Sequence, residues 1–213
     1  MDWRMDVFLL VINLVGTVAF AASGAVMGLQ KRMDVFGVCI LGLTTAVGGG
    51  IIRDLILGLT PPAAFRDPTC AMVSLAISVL FFFWHIRRLL MHNPDHFNYL
   101  LFWMDSLGLG AFTVVGVQMA YQQVARPTLF LAVFVGVLTG VGGGVLRDLL
   151  ADETPYILVK HVYASASLAG ALVCALAWTW IGSAWAMLLG MALVVLIRCL
   201  AAHYRWNLPK AKL

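Results

Sequence analysis

The stretch GLTTAVGGGIIRDLILGLTPP at residues 42–62 is followed, 94 residues later, by the closely similar GVLTGVGGGVLRDLLADETPY at residues 136–156. Of the 21 aligned positions, 11 are identical. An apolar composition does not by itself produce a second copy of the motif GGGxxRD. We therefore interpret the two stretches as parts of an internal repeat, and such a repeat determines the architecture of a chain.

The segments that precede these two stretches also match, at an offset of 92 residues. In this register the neutral Asn13 occupies the position of the acidic Asp105, so the two copies differ in charge. The repeated unit therefore extends well upstream of the glycine triplets. The identical pairs are Gly16/Gly108, Ala19/Ala111, Phe20/Phe112, Gly24/Gly116, Met27/Met119 and Gln30/Gln122.

The composition indicates the class of protein. Of the 213 residues, 62% are hydrophobic and 11% are charged, and the mean hydropathy is +0.94. Soluble domains contain about 50% apolar and about 25% charged residues, so the composition argues against a soluble enzyme and against a nucleic-acid partner. A membrane helix needs about 20 apolar residues. The sequence predicts seven spans, at Val7–Gln30, Val35–Gly58, Thr69–Ile86, Tyr99–Gln123, Thr128–Leu150, Val159–Trp180 and Ala184–Ala202.

The spans should be α-helices, because backbone polar groups in hydrocarbon must form their hydrogen bonds within the protein. The predicted fold class is an all-α integral membrane protein, in which residues 1–213 form a single membrane domain in the lipid bilayer. Repeat one covers about residues 7–88, repeat two about residues 98–180, and the seventh helix about residues 184–202. Each repeat has three spans, so the second begins on the opposite side of the membrane and the repeats are predicted to be inverted.

The distribution of Lys and Arg predicts the orientation of the chain. Three basic residues, Arg4, Arg66 and Arg126, fall on the side that holds the N-terminus. By the positive-inside rule, we expect a multi-pass protein of the cell (inner) membrane with its N-terminus outside and its C-terminus in the cytoplasm. Nine basic residues fall on the cytoplasmic side: Lys31, Arg32, Arg87, Arg88, Lys160, Arg198, Arg205, Lys210 and Lys212.

The glycine triplets are the first candidates for a functional site. Glycine weakens a helix by roughly 1 kcal/mol relative to alanine, and irregular backbone at membrane depth must line a cavity or be buried in protein. We expect a pore-lining kink with freed carbonyl groups. Close helix crossing is the alternative, and for nearby hydroxyl groups the alternative is a bond to their own helix. The candidate pathway residues are Gly48, Gly49, Gly50, Gly142, Gly143, Gly144, Thr45, Thr139 and Ser23.

Ionisable residues within the spans are the second group of candidates, because charges inside a membrane are costly and usually paired. They are Arg53, Asp54, Arg147, Asp148 and Asp105. Sequence neighbours on a helix point roughly 100° apart, so we expect each Arg to pair outside its own span. Arg147 or Arg53 is the expected partner of Asp105. The Arg–Asp pairs either tune ion entry at two mouths of a midplane constriction or clamp the ends of kinked helices.

The sequence contains none of several common catalytic motifs. It contains no nucleophile elbow, no His-rich metal set and no phosphate-binding loop followed by Lys and Ser or Thr. The four cysteines lie far apart and have no metal-ligand spacing. We therefore expect no enzymatic activity, no cofactor and no resident metal ion.

The motifs GGGIIRDLILG and GGGVLRDLL, with GTVAFAASGAVMG upstream of the first, resemble the prokaryotic branch of the trimeric intracellular cation (TRIC) channel family. The resemblance covers both repeats. It implies a homotrimer of seven-helix protomers, each with its own pore lined mainly by spans 1, 2, 4 and 5. It also implies that the pore is narrowest at the kinks of spans 2 and 5, and that K⁺ and also Na⁺ pass and are bound only transiently.

Two functional hypotheses follow. The first is a passive cation channel, in which carbonyl and hydroxyl oxygens at the glycine triplets replace part of the hydration shell of the ion. The second is a secondary transporter for glycine or another small amino acid, in which helix N-termini at the same glycines hold a carboxylate. A coupled carrier usually needs a well-placed acidic group, and Asp105 is the clearest candidate. The scarcity of acids within the spans therefore favours the channel.

Overall fold

Seven long α-helices form most of the structure, a computed structural model that describes residues 3–83, 94–159 and 162–206. No strand occurs in this part of the chain. Two four-residue helices, Ala63–Arg66 and Tyr156–Val159, precede the third and the sixth long helix. The long helices are α1 Trp3–Gln30, α2 Val35–Ile56, α3 Thr69–Phe83, α4 Pro94–Gln123, α5 Leu129–Leu150, α6 Ala164–Ile181 and α7 Ser183–His203.

Six of these helices are long and apolar enough to cross a membrane, and the exception is α3, a shorter apolar helix of 15 residues. The helices α2 and α5 have 22 residues each. A helix of that length is roughly 33 Å long at 1.5 Å per residue, which matches a hydrocarbon core of about 30 Å. The chain is therefore an all-α integral membrane protein, as the composition predicts.

Parts of several predictions lie outside the described residues. They include the end of the third predicted span at Ile86 and the boundary of repeat one at residue 88. The limits of the two repeats stay a prediction. Five basic residues of the orientation argument also lie outside the described residues: Arg87, Arg88, Lys160, Lys210 and Lys212.

The sixth predicted span, Val159–Trp180, begins too early. The segment from Tyr156 forms its own short helix, and α6 begins only at Ala164. The reason is local: the backbone N–H of Tyr156 donates to Oδ2 of Asp148 at 2.8 Å, which fixes the chain just after α5. The other described bounds lie within a few residues of the predicted ones.

The helices α2 and α5 are built in the same way. α2 follows Asp34, whose Oδ1 accepts a hydrogen bond from the backbone N–H of Gly37 at 2.7 Å. α5 follows Thr128, whose hydroxyl accepts from the backbone N–H of Leu131 at 3.1 Å. Each cap satisfies one of the free N–H groups at a helix start. Since Asp34 and Thr128 are 94 residues apart, the internal repeat extends to the caps.

The packing of the helices also repeats. α2 packs against α1, α3 and α5, while α5, its equivalent in the second half, packs against α4, α6 and α2. The pairs α1–α4 and α2–α5 join the two halves of the molecule. α7 packs against α6 and α4, both of which belong to the second half. The four helices α1, α2, α4 and α5 therefore surround the buried polar residues at the centre of the bundle.

Candidate ion pathway and its two charged ends

The motif RD forms the same local ion pair in both halves. Nε of Arg53 donates to Oδ1 of Asp54 at 2.8 Å, and Nε of Arg147 donates to Oδ1 of Asp148 at 2.9 Å. In each pair Nη2 of the arginine also lies 2.8 Å from the same carboxylate oxygen. Each arginine therefore has a partner next to it in its own span, in addition to any partner outside that span. The side chains curl back along the helix, and neighbouring residues can meet although they leave the helix in different directions.

The second carboxylate oxygen of each aspartate holds the chain that follows the helix. Oδ2 of Asp54 accepts from the backbone N–H of Ala63 at 2.7 Å. Oδ2 of Asp148 accepts from the backbone N–H of Tyr156 at 2.8 Å. Both acceptors are buried. The Arg–Asp pairs thus fasten each long helix to the short helix after it, which corresponds to the clamp alternative.

Arg147 also reaches across the bundle, as the sequence predicts for one of the two arginines. Its Nη1 lies 2.6 Å from Oδ1 of Asp105 on α4 and donates to the hydroxyl of Ser23 on α1. The hydroxyl of Tyr163 donates to the same Asp105 oxygen at 3.2 Å. Both charged side chains are fully buried, with 0% of the surface exposed. Three candidate residues from three helices therefore meet at one point.

Arg198 on α7 completes this cluster, although it was counted above only among the basic residues of the cytoplasmic side. Its Nη2 lies 3.6 Å from Oδ2 of Asp105, and its Nε donates to the hydroxyl of Ser106 at 3.3 Å. The guanidinium packs over the rings of Phe102 and Tyr163, at 5.0 and 4.9 Å from the ring centres. Arg198 is only 5% exposed, so it is a buried charge within the bundle and not a charge at the membrane surface. Its position inside an otherwise apolar span was the available signal.

We call the group Ser23, Asp105, Arg147, Asp148, Tyr163 and Arg198 the Asp105 cluster. Its two cations and two anions are balanced in charge. A buried ion pair is tolerated best when the charges are paired and their remaining hydrogen bonds are made; here Oδ2 of Asp105 and Nη2 of Arg147 have ion-pair contacts but no hydrogen-bond partner among the described residues. The cluster joins α1, α4, α5 and α7, and its charged side chains are buried.

The corresponding end of the first half contains a cavity, which we call the Arg53 cavity. It has a volume of about 250 Å³ and is bounded by Asn13, Thr17, Arg53, Asp67 and Phe112, among others. Hydrogen bonds from the hydroxyl and the backbone N–H of Thr69 lower the pKa of Asp67, which lies outside the spans. Asp67 is therefore ionised at neutral pH at the edge of this cavity.

A pair of phenylalanines separates the Arg53 cavity from the Asp105 cluster. The rings of Phe20 on α1 and Phe112 on α4 lie 5.3 Å apart between centroids, and both are buried. Phe112 borders the cavity, whereas Phe20 packs against Gly143 on α5. The two residues are equivalent positions of the repeat. Their identity in the sequence, which helps to align the two halves, was also the available signal for a shared role.

The glycine triplets lie where α2 and α5 cross. A methyl group on Gly49 would overlap the carbonyl oxygen of Thr139, and one on Gly143 would overlap the carbonyl oxygen of Thr45. Both helices are continuous through the triplets. The contact therefore matches the close-crossing alternative, while the predicted kink and its freed carbonyl groups stay a prediction.

The remaining members of the triplets differ from each other. A methyl group on Gly142 would lie 3.1 Å from the Cα of Gly49, whereas Gly48 faces the side chain of Leu146. The nearest atom to a methyl group on Gly50 would be Nη2 of Arg53, at 3.6 Å. Gly50 borders the Arg53 cavity. Only part of each triplet is therefore needed for the crossing.

The two candidate threonines bond to their own helices. The hydroxyl of Thr45 donates to the carbonyl oxygen of Leu41 at 2.6 Å, and that of Thr139 donates to the carbonyl oxygen of Val135 at 2.6 Å. Both threonines are fully buried, at 0% exposure. The outcome is the common arrangement for hydroxyl groups in membrane helices. The hydroxyl oxygens still have lone pairs, but they do not border the Arg53 cavity.

The comparisons with known sequences cover nearly the whole chain. A protein-family model described as "Glycine transporter" matches residues 10–86 and 102–179. The UPF0126 inner membrane protein YadS of Escherichia coli K12 is 39% identical over 201 residues, which are 93% of this chain and 93% of YadS. The UPF0126 membrane protein YvgT of Bacillus subtilis 168 is 33% identical over 199 residues, which are 93% of this chain and 94% of YvgT.

Solved structures share the fold. A crystal structure of a prokaryotic TRIC channel in 0.5 M KCl matches with a TM-score of 0.86 and 30% identity, over 94% of this chain and 98% of that one. The structure of the TRIC orthologue from Rhodobacter sphaeroides matches with a TM-score of 0.84 and 33% identity, over 93% of this chain and 98% of that one. The fold and its buried charges thus define a multi-pass membrane protein of the prokaryotic TRIC type.

The sequence matches extend this assignment from fold to family. The chain belongs to the UPF0126 family of membrane proteins, the prokaryotic relatives of the TRIC channels. The resemblance stated from the doubled GGGxxRD motif is confirmed. The name of YadS as an inner membrane protein agrees with the apolar helices of this chain.

Proposed function

We propose that the chain forms a homotrimeric channel for monovalent cations, K⁺ and also Na⁺, with one pore in each protomer. The observation that supports this most strongly is the similarity to solved TRIC cation channels over more than nine-tenths of the chain. A structure described as the basis for conductance through TRIC cation channels is 36% identical and has a TM-score of 0.81. The relative from Rhodobacter sphaeroides is named as trimeric, which supports the homotrimer.

The proposed pore runs among α1, α2, α4 and α5. It begins in the Arg53 cavity, passes the ring pair of Phe20 and Phe112, and continues through the Asp105 cluster. Polar side chains buried in a membrane bundle are expensive unless they serve a pathway or pair with one another. Since Arg53 is paired with Asp54, its positive charge is largely offset and does not exclude cations from the cavity.

In this proposal the described conformation is closed. The rings of Phe20 and Phe112 must separate, and the Asp105 cluster must rearrange, before a hydrated ion can pass. We keep the triplets Gly48–Gly50 and Gly142–Gly144 as the narrow region, because they bring α2 and α5 into direct backbone contact. By the positive-inside argument, the Arg53 cavity faces outside and the Asp105 cluster faces the cytoplasm.

Electrical recording tests this proposal. The purified protein is placed in a planar bilayer under a K⁺ gradient, and its oligomeric mass is measured by native mass spectrometry. We expect unitary currents whose reversal potential follows the K⁺ gradient, Na⁺ currents after ion exchange, and the mass of a trimer. The absence of unitary currents from trimeric protein would contradict the channel.

A substitution in the ring pair sharpens the test. Phe112→Ala removes one of the two rings that separate the cavity from the cluster, so we expect a larger unitary current or a higher open probability. Phe130→Ala is the matched control, because Phe130 on α5 is 77% exposed on the surface of the protomer. Equal effects of both substitutions would show that the pore does not pass between Phe20 and Phe112.

The second candidate function is a secondary transporter for glycine or another small amino acid. The description of the matching family model as "Glycine transporter" favours it, as does a cavity among the helices that is bounded by both polar and apolar residues. Alternating access to a site between inverted repeats would use such a cavity. Uptake of labelled glycine into liposomes, measured beside the bilayer recordings, separates the two: saturable uptake without unitary currents would establish the transporter.

A further inference from the structure

The two arginines of the doubled motif occupy equivalent positions but have different partners. Arg147 binds Asp148 through Nε and Nη2, and its Nη1 binds Asp105 on α4. Arg53 binds Asp54 in the same way through Nε and Nη2. No described residue takes the place of Asp105 at Arg53, since the residue in that position of the repeat is Asn13. One half therefore lacks a carboxylate that the other half contains.

Asn13 does not substitute for the missing carboxylate. Its Nδ2 donates to the carbonyl oxygen of Leu9 at 3.0 Å, one turn back along its own helix. The space beside Arg53 is left as a cavity of about 250 Å³, bounded by Asn13 and Arg53 together. The glycines before the arginines show the same difference. A methyl group on Gly144 would meet Oη of Tyr163 and Oδ1 of Asp105, whereas one on Gly50 would meet only Arg53.

An unsatisfied hydroxyl group marks the same cavity. Thr17 on α1 borders it, is 0% exposed, and has no hydrogen-bond partner for Oγ1 among the described residues. Buried hydroxyl groups are almost always hydrogen-bonded, and leaving one unpaired costs roughly 1–3 kcal/mol. The cavity is thus bounded both by Arg53, which is only 7% exposed, and by the hydroxyl group of Thr17, which has no hydrogen-bond partner among the described residues.

We propose that the Arg53 cavity binds the carboxylate group of a small ligand, which takes the position at Arg53 that Asp105 takes at Arg147. Arginine is well suited to this task, because its planar guanidinium presents several N–H donors to carboxylate oxygens. The hydroxyl of Thr17 and the amide of Asn13 supply further hydrogen bonds. A volume of about 250 Å³ lies below the usual range for drug-sized ligands and suits a molecule of a few heavy atoms.

The charge balance distinguishes two kinds of carboxylate. In the second half, Arg198 on α7 lies 3.6 Å from Asp105 and offsets its charge. The first half has no equivalent of α7, so a simple anion together with Asp54 and Asp67 would face Arg53 alone, which is an excess of two negative charges at the Arg53 cavity. An amino acid brings its own ammonium group, for which Asp67 offers an ionised partner at the edge of the cavity. An amino acid should therefore bind more tightly than a simple anion.

Binding to the purified trimer tests the proposal independently of whether ions or amino acids cross the membrane. Isothermal titration calorimetry is performed with glycine, with sodium acetate and with glycinamide, which lacks the carboxylate. We expect glycine to bind at least about tenfold more tightly than glycinamide. Binding of glycine over acetate assigns an amino-acid ligand, and equal binding assigns a general carboxylate; both support the site. Equal binding of glycine and glycinamide, or no binding of either carboxylate, overturns it.

A substitution taken from the other half gives the sharpest control. Asn13→Asp places a carboxylate where Asp105 stands in the second half, so it should pair with Arg53 and reduce the affinity for glycine at least about tenfold. Asn13→Ala removes the hydrogen bond of the amide without adding a charge, so it should reduce the affinity for glycine clearly less than Asn13→Asp does. Neither substitution removes Arg53, whose loss would leave Asp54 buried and unpaired. Unchanged binding in Asn13→Asp would contradict the proposed position of the ligand.

Discussion

Arg147 illustrates how this protein keeps charged groups inside a membrane. Its guanidinium is fully buried and contacts Asp105 at 2.6 Å and Asp148 at 2.8 Å. Arg198 adds a second cation 3.6 Å from Asp105, which brings the sum of the charges to zero. An unpaired charge at the bilayer centre costs roughly 3 kcal/mol or more. The neutrality of the group as a whole is therefore the condition for its burial.

Removal of one charge from this group should be strongly destabilising. Asp105→Asn keeps the size of the side chain but leaves two arginines facing one acid, so we expect a loss of about 3–5 kcal/mol of unfolding free energy. Reversible unfolding in mixed detergent micelles measures the change.

Asp152→Asn is the control for the loss of an acid. Asp152 is exposed and has a φ of 53°, a conformation that asparagine adopts readily. Its stability should stay close to that of the original protein. If Asp105→Asn lowered the unfolding free energy no more than Asp152→Asn does, the cluster would contribute little to the stability of the fold.

At this scale the sequence predicted some partners and not others. Asp105 and Arg147 could be matched, because they are rare charges within apolar spans and each needs a partner. Arg198 was not found, because it lies near the end of its span, where a long side chain can equally reach the membrane surface. Thr17 gave no signal at all. The face of a helix that a residue occupies depends on neighbours that are distant in sequence.

The helices α2 and α5 pack closely against each other because glycines without side chains lie at their crossing. Gly49 and Gly143 bring the two backbones into contact, because any Cβ atom there would overlap a carbonyl oxygen of the other helix. In membranes, small residues at such crossings allow close van der Waals packing where the hydrophobic effect contributes little. The repeated triplet is therefore explained at least in part by packing between the halves.

A pair of alanine substitutions separates packing from flexibility. Gly143→Ala should destabilise the protein by about 1–3 kcal/mol, because its methyl group would overlap the backbone of α2. Gly50→Ala has room, since its nearest neighbour is Arg53 at 3.6 Å, and should be neutral or stabilising by up to about 1 kcal/mol through its higher helix propensity. Thermal unfolding of both variants gives the comparison. Equal losses in the two would mean that the triplets act through backbone flexibility instead.

The bounds of the long helices could be predicted well from the apolar runs and their breaks. The two short helices could not be predicted in this way. Their positions depend on hydrogen bonds from Ala63 to Asp54 and from Tyr156 to Asp148. Such bonds join residues eight or nine positions apart across a turn, and no periodic pattern encodes them. The sixth predicted span was too long for the same reason.

The whole molecule consists of two similar halves and one additional helix. The repeat, visible in the sequence, indicated which helices are equivalent, and α2 and α5 do meet at equivalent glycines. α7 has no counterpart and delivers Arg198 to the second half only. The halves are therefore alike in backbone and unlike in charge, which is why one end contains a cavity and the other a filled cluster.

The orientation of the whole chain can be tested by reporter fusions. The excess of Lys and Arg on one side predicts a cytoplasmic C-terminus. A C-terminal green fluorescent protein should therefore be fluorescent in a bacterial host, and a C-terminal alkaline phosphatase should be inactive. At the N-terminus, an epitope tag should be accessible to antibody in spheroplasts without permeabilisation. The opposite pattern would reverse the assignment of the two ends.

The contact between Gly49 and Gly143 has a mechanical consequence for the bundle. With no side chain between them at these glycines, α2 and α5 approach closely, and Arg53 and Arg147 each lie four residues beyond them, toward the C-terminal end of the helix. A rotation of one helix about this crossing moves its two ends in opposite directions relative to the other helix. The Arg53 cavity and the Asp105 cluster therefore lie at opposite ends of one helix crossing.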